Sequence, residues 1–80
     1  MLHADLKEHR GHLSRGQSTG RHKHRGGHVT CVWGHARVEI GEASQEVANG
    51  TVYVPPATAH DIHALSDLTY VCVGAKDFDR

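Results

Sequence analysis

The sequence predicts an all-β protein, built as one small barrel or sandwich with little or no helix. Short runs of β-branched and aromatic residues recur from Val29 onward, and turn-forming residues separate them at even spacing. The length of 80 residues allows one domain. Because so short a chain buries only about 60–65% of its unfolded surface, we expect a metal ion, a disulfide or a partner chain to support its core.

The first half of the chain gives three predicted elements. Residues 1–12 form a weakly patterned N-terminal segment that could pair as a strand with a partner chain. Residues 13–20 are rich in turn formers, and a barrel domain is expected over residues 13–74. The runs 29–33 (VTCVW) and 36–40 (ARVEI) flank Gly34-His35, and this pattern predicts a hairpin with its turn there.

The second half alternates strands and turns. Residues 42–48 are polar and edge-like, and Asn49-Gly50 is a turn signal. Residues 51–54 (TVYV) form the next strand, which ends at two prolines that lack backbone donors. Residues 60–65 and 68–73 are the last predicted strands, and residues 75–80 are expected to be a loose C-terminal tail.

Charge is divided between the two halves, although the formal net charge is zero. Residues 1–28 hold six Lys or Arg and two acids, and the remainder holds three Lys or Arg and seven acids. The opposite halves cancel, so a nucleic-acid partner is not expected. The chain has no apolar run of about 20 residues and no signal-peptide pattern at its start. A cytoplasmic protein is therefore predicted, with Cys31 and Cys72 reduced in the core.

Histidine is the outlier, with nine residues, and the segment GRHKHRGGH is its densest stretch. On a strand, His22 and His24 share a face about 6.6 Å apart, so both rings could bind one ion. If Gly26-Gly27 turns the chain with positive φ values, His28 starts an adjacent strand and supplies a third ligand. Spacing alone also allows a solvated basic loop or a phosphate-binding tract here.

His60 is the fourth candidate, since it opens a strand after the two prolines. With this residue, two segments resemble the paired motifs of the cupin superfamily. GQSTGRHKHRGGH follows the first motif, G-x5-H-x-H-x3–4-E-x6-G, from Gly16 onward. GTVYVPPATAH follows the second, G-x5-P-x-G-x2-H-x3-N, with one residue fewer before Pro55. The likeness covers roughly residues 13–73.

The sequence departs from the motifs at several positions. His28 replaces the glutamate of the first motif, and the closing glycine of that motif comes one position early, at Gly34. Ala57 and Ala64 replace the glycine and asparagine of the second. The glutamate-to-histidine change resembles small single-domain cupins that hold a metal on four histidines. The resemblance therefore implies a ligand set, which is His22, His24, His28 and His60.

The resemblance implies a small cupin-type β-barrel (a double-stranded β-helix or jelly roll), commonly dimeric, with one divalent transition metal ion per chain: Mn, Fe, Ni, Cu or Zn. It also implies metal-dependent, dioxygenase-like oxidation of a small oxygen-bearing molecule. A non-enzymatic binder or sensor of a small ligand is the alternative, and an anion- or nucleic-acid-binding basic surface is a third hypothesis. Strand parity would place Thr30, Val32, Ile62 and Ala64 inside. No catalytic residue is identified.

Overall fold

The computed structural model describes residues 6–80, which form five antiparallel strands and no helix. The strands are β1 (Leu6–Leu13), β2 (His28–Ile40), β3 (Ala43–Val54), β4 (His60–Ala64) and β5 (Leu68–Ala75). The sheet order is β1-β5-β2-β3, and β4 also pairs with β2. The predicted all-β fold is confirmed for these residues.

Strand β2 organises the sheet because it is long enough to pair with three neighbours. Its first part, residues 28–33, pairs with β5, and its last part, residues 36–40, pairs with β4. Strand β3 runs along its other edge over almost the whole length. The two ends of β2 thus carry different partners, which brings β4 and β5 around the same interior.

The hairpin predicted around Gly34-His35 is wrong. The chain continues as one strand through these residues, and a β-bulge shifts the β2–β3 register between Val32 and His35. Gly34 has a φ of 129°, and its N–H donates to the Asn49 side chain over 2.9 Å. Asn49-Gly50 therefore lies on β3 opposite this bulge and does not form a turn. The chain instead reverses direction after Ile40, before β3 begins at Ala43.

The core lies on the inner face that the alternation predicts. Thr30 and Val32 are both 2% exposed, whereas Trp33 is 56% exposed on the outer face. Ile62 and Ala64 are also buried. The inward parity predicted for β2 and β4 is confirmed, and His28 and His60 lie on the same inner face as this core.

The two ends of the described chain pack onto the barrel. Strand β1 pairs with β5 along its full length; pairing of residues 1–12 with a partner chain stays a prediction, and residues 1–5 lie outside the described part. The prediction of a loose tail is wrong for Phe78, which is 2% exposed. Its carbonyl accepts a hydrogen bond from the N–H of Gly26 over 2.9 Å. A single large aromatic side chain in the tail thus closes one side of the interior.

Cys31 and Cys72 are both free thiols, as predicted. Cys72 is buried, and its sulfur lies 3.4 Å from the Thr30 hydroxyl. Burial raises the pKa of the Cys72 thiol, which keeps it protonated and unreactive at neutral pH. Within residues 6–80, no helix has the length and apolar character needed to cross a membrane.

Candidate metal centre

The H-x-H segment lies in an extended loop that pairs with β4. His22 and His60 exchange two backbone hydrogen bonds, of 3.1 and 2.8 Å, and form an isolated bridge. The carbonyl of His24 accepts from the N–H of Ala57 over 2.8 Å. The predicted pairing of this segment with the strand of His28 is therefore wrong: the backbone of residues 22–24 is held by the segment that leads to His60.

Gly26-Gly27 separates His24 from His28, but not as a positive-φ turn, since neither glycine has a positive φ. Glycine is required at both positions because atoms of other residues lie too close to the backbone to leave room for a Cβ. A Cβ on Gly26 would lie 3.0 Å from the Phe78 Cα, and one on Gly27 would lie 2.5 Å from the Tyr53 hydroxyl. Because these two glycines lack side chains, the backbone fits through this narrow space. His28 then begins β2, and its ring is buried in the interior.

The structure brings all four predicted histidine rings together. The ring centroids of His22 and His60 are 4.4 Å apart, and those of His22 and His24 are 4.8 Å apart. His28 lies 5.1 Å from His60 and 5.3 Å from His24 by the same measure. One ring nitrogen from each of His22, His24 and His60 lies within 4.8 Å of the others. Nitrogens on one ion at about 2.1 Å are roughly 3–4 Å apart, so small ring rotations would bring these three nitrogens to ligand spacing. His28 is not part of this closely spaced group, and its ring would have to move further.

Backbone carbonyls orient two of these rings. The Nδ1 atom of His22 lies 2.6 Å from the Gly20 carbonyl oxygen, and that of His60 lies 2.9 Å from the Thr58 carbonyl oxygen. Because a carbonyl only accepts, Nδ1–H must be the donor in each pair. The neutral ring then carries its lone pair on Nε2. This is the arrangement that fixes histidine ligands around metal ions in proteins.

Neither ring nitrogen of His28 has a hydrogen-bond partner among residues 6–80, although both are buried. The Gly26 carbonyl is near enough to raise the pKa of the ring slightly, but its geometry falls short of a hydrogen bond. Burial, reinforced by the charges of protonated His60 and His24, lowers the pKa of His28 to about 4. An unpaired buried imidazole costs stability, whereas a metal ion would satisfy the lone pair. The donor set therefore fits a transition metal.

His24 and His60 have lowered pKa values for related reasons. Burial lowers the pKa of both rings, and a positive charge on His22 would lower them further. The Asp79 carboxylate opposes this effect at His24. At neutral pH the rings of His24, His28 and His60 are thus uncharged, the form in which histidine binds metals.

A cavity of about 370 Å³ opens beside the cluster. His22, His24 and His60 form part of its wall, and Ile62 and Tyr70 are among the other lining residues. The tail, overlooked by the sequence interpretation, adds Phe78 and Asp79 to this wall. The Phe78 ring centroid lies 4.9 Å from that of His28 and 5.6 Å from that of His24. The only feature of the sequence that could have indicated this role of the tail is the chain's single phenylalanine.

The other described histidines lie outside this ring cluster. His12 is exposed, and His35 is half-buried and lies 2.9 Å from the Glu46 carboxylate. His9 is exposed but lines the rim of the cavity, and its ring centroid lies 6.4 Å from that of Tyr70. His3 lies outside the described residues. His63 is buried at its Nε2 atom and belongs to a second cluster on the outer face.

Solved structures resemble this fold closely. A cupin 2 domain-containing protein from Halorhodospira halophila is 27% identical with a TM-score of 0.85, and covers 95% of this chain and 56% of its own. A cupin 2 conserved barrel domain protein from Rhodopseudomonas palustris is 25% identical with a TM-score of 0.83, covering 95% and 55%. The chain belongs to the cupin superfamily. This cupin thus spans little more than half the length of these two relatives.

An enzyme also shares the fold of this cupin. The salicylate 1,2-dioxygenase of Pseudoaminobacter salicylatoxidans, solved in complex with gentisate, has a TM-score of 0.81 and 18% identity, over 90% of this chain and 20% of its own. At that identity the likeness concerns the fold alone. The sequence of this cupin matches no protein-family model and no curated protein.

Proposed function

We propose that this cupin holds one divalent transition metal ion on His22, His24, His28 and His60, and binds a small oxygen-bearing molecule beside it. The observation that carries the proposal is the convergence of four imidazole rings, one of which is buried with neither nitrogen hydrogen-bonded to any group of residues 6–80. Imidazole ligands suit Fe, Ni, Cu and Zn, and Mn is included through the family resemblance. Four neutral ligands leave the ion's charge near +2.

When bound, such an ion supplies Lewis-acid or redox chemistry at the cavity wall. The protein's own residues supply the surroundings. Gly20 and Thr58 hold the rings of His22 and His60 through their carbonyls. Ile62 and Phe78 give the cavity an apolar wall that excludes water from one side, while the hydroxyl of Tyr70 offers a hydrogen-bond donor. Burial raises the pKa of Tyr70, so this donor stays protonated at neutral pH.

The cavity suits a small, partly apolar molecule with an oxygen donor. The family resemblance favours oxidation of such a molecule as the reaction class, and a solved dioxygenase in complex with gentisate has the same fold. A metal-loaded binder without catalysis uses the same site, and an oxygen-uptake assay separates the two.

A metal-content experiment tests the site. Protein purified without an affinity tag is dialysed against Zn²⁺, and bound zinc is counted by elemental analysis. The double variant His22→Ala with His24→Ala is expected to lose one equivalent relative to the wild type. His35→Gln is the matched control, since it removes a histidine that lies outside the cluster. An unchanged zinc content in the double variant would contradict the metal site.

Oxygen uptake tests the reaction class. Catechol-like and thiol substrates are added to the wild type loaded with Fe²⁺, and the double variant under the same conditions gives the background. Consumption by the wild type alone supports an oxidoreductase. Binding of these molecules without oxygen uptake supports the small-ligand sensor.

We also propose that the functional unit is a homodimer in the cytoplasm. Val29, Trp33 and Tyr53 are exposed large apolar side chains on the outer face of β2 and β3, and family resemblance favours a dimer. Two free thiols suit a reducing compartment. Sedimentation of the wild type as an 8.7 kDa species would contradict the dimer.

A further inference from the structure

A second group of ligand side chains lies on the outer face of the sheet. Glu39 and Asp61 are directly opposite each other on β2 and β4, and His63 stands two residues along β4 on the same face. One ligand atom from each of the three lies within 4.8 Å of the others. We propose that this group, the outer triad, is a second site for a divalent transition metal ion.

The distances within the outer triad fit ligands better than hydrogen bonds. The Nε2 atom of His63 lies 3.4 Å from Oε1 of Glu39 and 3.5 Å from Oδ2 of Asp61. A charge-assisted hydrogen bond would bring such atoms to about 2.7–2.9 Å. Two ligands held tetrahedrally at bond lengths of about 2.0–2.2 Å are roughly 3.3–3.6 Å apart. The observed separations match the second geometry.

The His63 nitrogen is also unsatisfied. Its Nε2 atom is buried and has no hydrogen-bond partner in the described part of the chain, even though two carboxylates flank it. The atom that faces the carboxylates is therefore the one that a cation would use. A bound ion would satisfy it and both acids at once.

Asp61 is held in place before any ion arrives. Its side chain is 9% exposed, because the segment that contains Thr19 and Gly20 covers it. The Oδ1 atom accepts hydrogen bonds from the Thr19 hydroxyl over 3.2 Å and from the Gly20 N–H over 3.1 Å. Oδ1 is thereby occupied, and Oδ2 is directed at His63. Such fixed orientation is typical of metal ligands in proteins.

Two arginines lie near Glu39, but neither forms a short hydrogen bond with its carboxylate. Arg21 is 3.7 Å and Arg37 is 3.9 Å from the nearer carboxylate oxygens. Both distances exceed those of a charge-assisted hydrogen bond, and Arg21 already donates to the Gly41 carbonyl over 2.7 Å. Two carboxylates and one imidazole, unlike four imidazoles, offset the charge of a divalent ion. The mixed oxygen and nitrogen set suits Zn²⁺, Fe²⁺ or Mn²⁺.

Zinc stoichiometry tests the outer triad independently of the barrel site. Full-length protein is dialysed against Zn²⁺ at neutral pH and its zinc content is measured. The wild type is expected to hold two equivalents, and Glu39→Gln or His63→Gln should each hold one fewer. His35→Gln is the control, because it breaks the other histidine–carboxylate pair of the sheet, with Glu46. Circular dichroism verifies that every variant is folded.

Different results would contradict the barrel site and the outer triad. Adding His22→Ala and His24→Ala to His63→Gln should remove all specifically bound zinc. If the barrel site does not exist, the double alanine variant keeps the wild-type content, while His63→Gln still loses one equivalent. If Glu39→Gln and His63→Gln both keep the wild-type content, the outer triad is not a metal site.

Discussion

Replacing the buried histidine at the first position of β2 should stabilise the metal-free protein. His28 is 2% exposed, and no group of the described residues forms a hydrogen bond with either of its ring nitrogens. The substitution His28→Leu retains a similar volume and removes the unpaired polar atoms. Phe78, whose ring centroid lies 4.9 Å from that of His28, provides an apolar neighbour for the new side chain.

The size of the effect follows from the two nitrogens. An unsatisfied buried donor or acceptor costs about 1–3 kcal/mol, while a volume-conserving change in a core costs less than about 1.5 kcal/mol. The free energy of unfolding should therefore rise by about 1–3 kcal/mol. For a domain of this length, each kcal/mol moves the Tm by about 4–8 °C. Without metal, His28→Leu should melt at least about 4 °C above the wild type.

The assay is thermal unfolding by circular dichroism at pH 7.5, with EDTA and with Zn²⁺. Zinc at 100 times its Kd would stabilise the wild type by about 2.7 kcal/mol, and the variant should lose most of that gain at the barrel site. Thr30→Val is the control, because it removes a buried hydroxyl that already has a partner, the Cys72 sulfur; it should not raise the Tm. A lower melting temperature for His28→Leu in EDTA would refute the reasoning.

Three further predictions concern stability. Phe78→Ala should lower the free energy of unfolding by about 3–5 kcal/mol in urea titrations, because it empties a fully buried aromatic site; a loss below 1 kcal/mol would favour a tail that only rests on the surface. In EDTA, the free energy of unfolding should fall by about 3 kcal/mol as the pH drops from 6.5 to 4. Over this range the unfolded chain binds a proton at residue 28, whereas folded His28, with its pKa lowered to about 4, stays largely unprotonated. His28→Leu should flatten this pH dependence. Gly34→Ala should cost at least about 2 kcal/mol, because φ is 129° and a Cβ would lie 2.6 Å from that of Leu68; wild-type stability would contradict the bulge geometry.

Alternation predicted the inner face because it depends on strand parity alone. Thr30 and Val32 follow His28 at intervals of two, and Ile62 follows His60 in the same way. These positions face one interior whatever the strand order is. Family resemblance added the closure of the sheet into a barrel, which parity by itself leaves open between a barrel and a sandwich.

Pairing partners could not be obtained from the sequence. The spacing of His22 and His24 fits a strand paired with β2 and fits equally well a segment paired with the backbone at His60. The structure shows the pairing with His60. Likewise, Gly34 and Asn49 are each turn formers when considered singly. Only their hydrogen bond across β2 and β3 identifies them as the two sides of one bulge. Such choices depend on contacts between residues distant in the chain.

The tail and the outer triad were missed for a related reason. Strand alternation and composition do not show that Phe78 reaches His24 and His28. The contact depends on Gly74, which leaves room for the Phe78 ring, and on Gly26, which leaves room for the Cα and Cβ of Phe78. Glu39 and Asp61 are ordinary outward residues of two strands until the β2–β4 register sets them side by side. Register, rather than local pattern, assembles the outer triad.

The same imidazoles that form the candidate site also occupy core volume that apolar side chains would otherwise fill. A core of this size has little stability to spare, and His28 adds two nitrogens that are unpaired within residues 6–80. A solvated basic loop would not need a buried ring of this kind, since an exposed histidine has water as its partner. Burial makes sense if an ion supplies the missing bonds. Metal binding and folding should then be coupled, with the ion stabilising the interior that its ligands weaken.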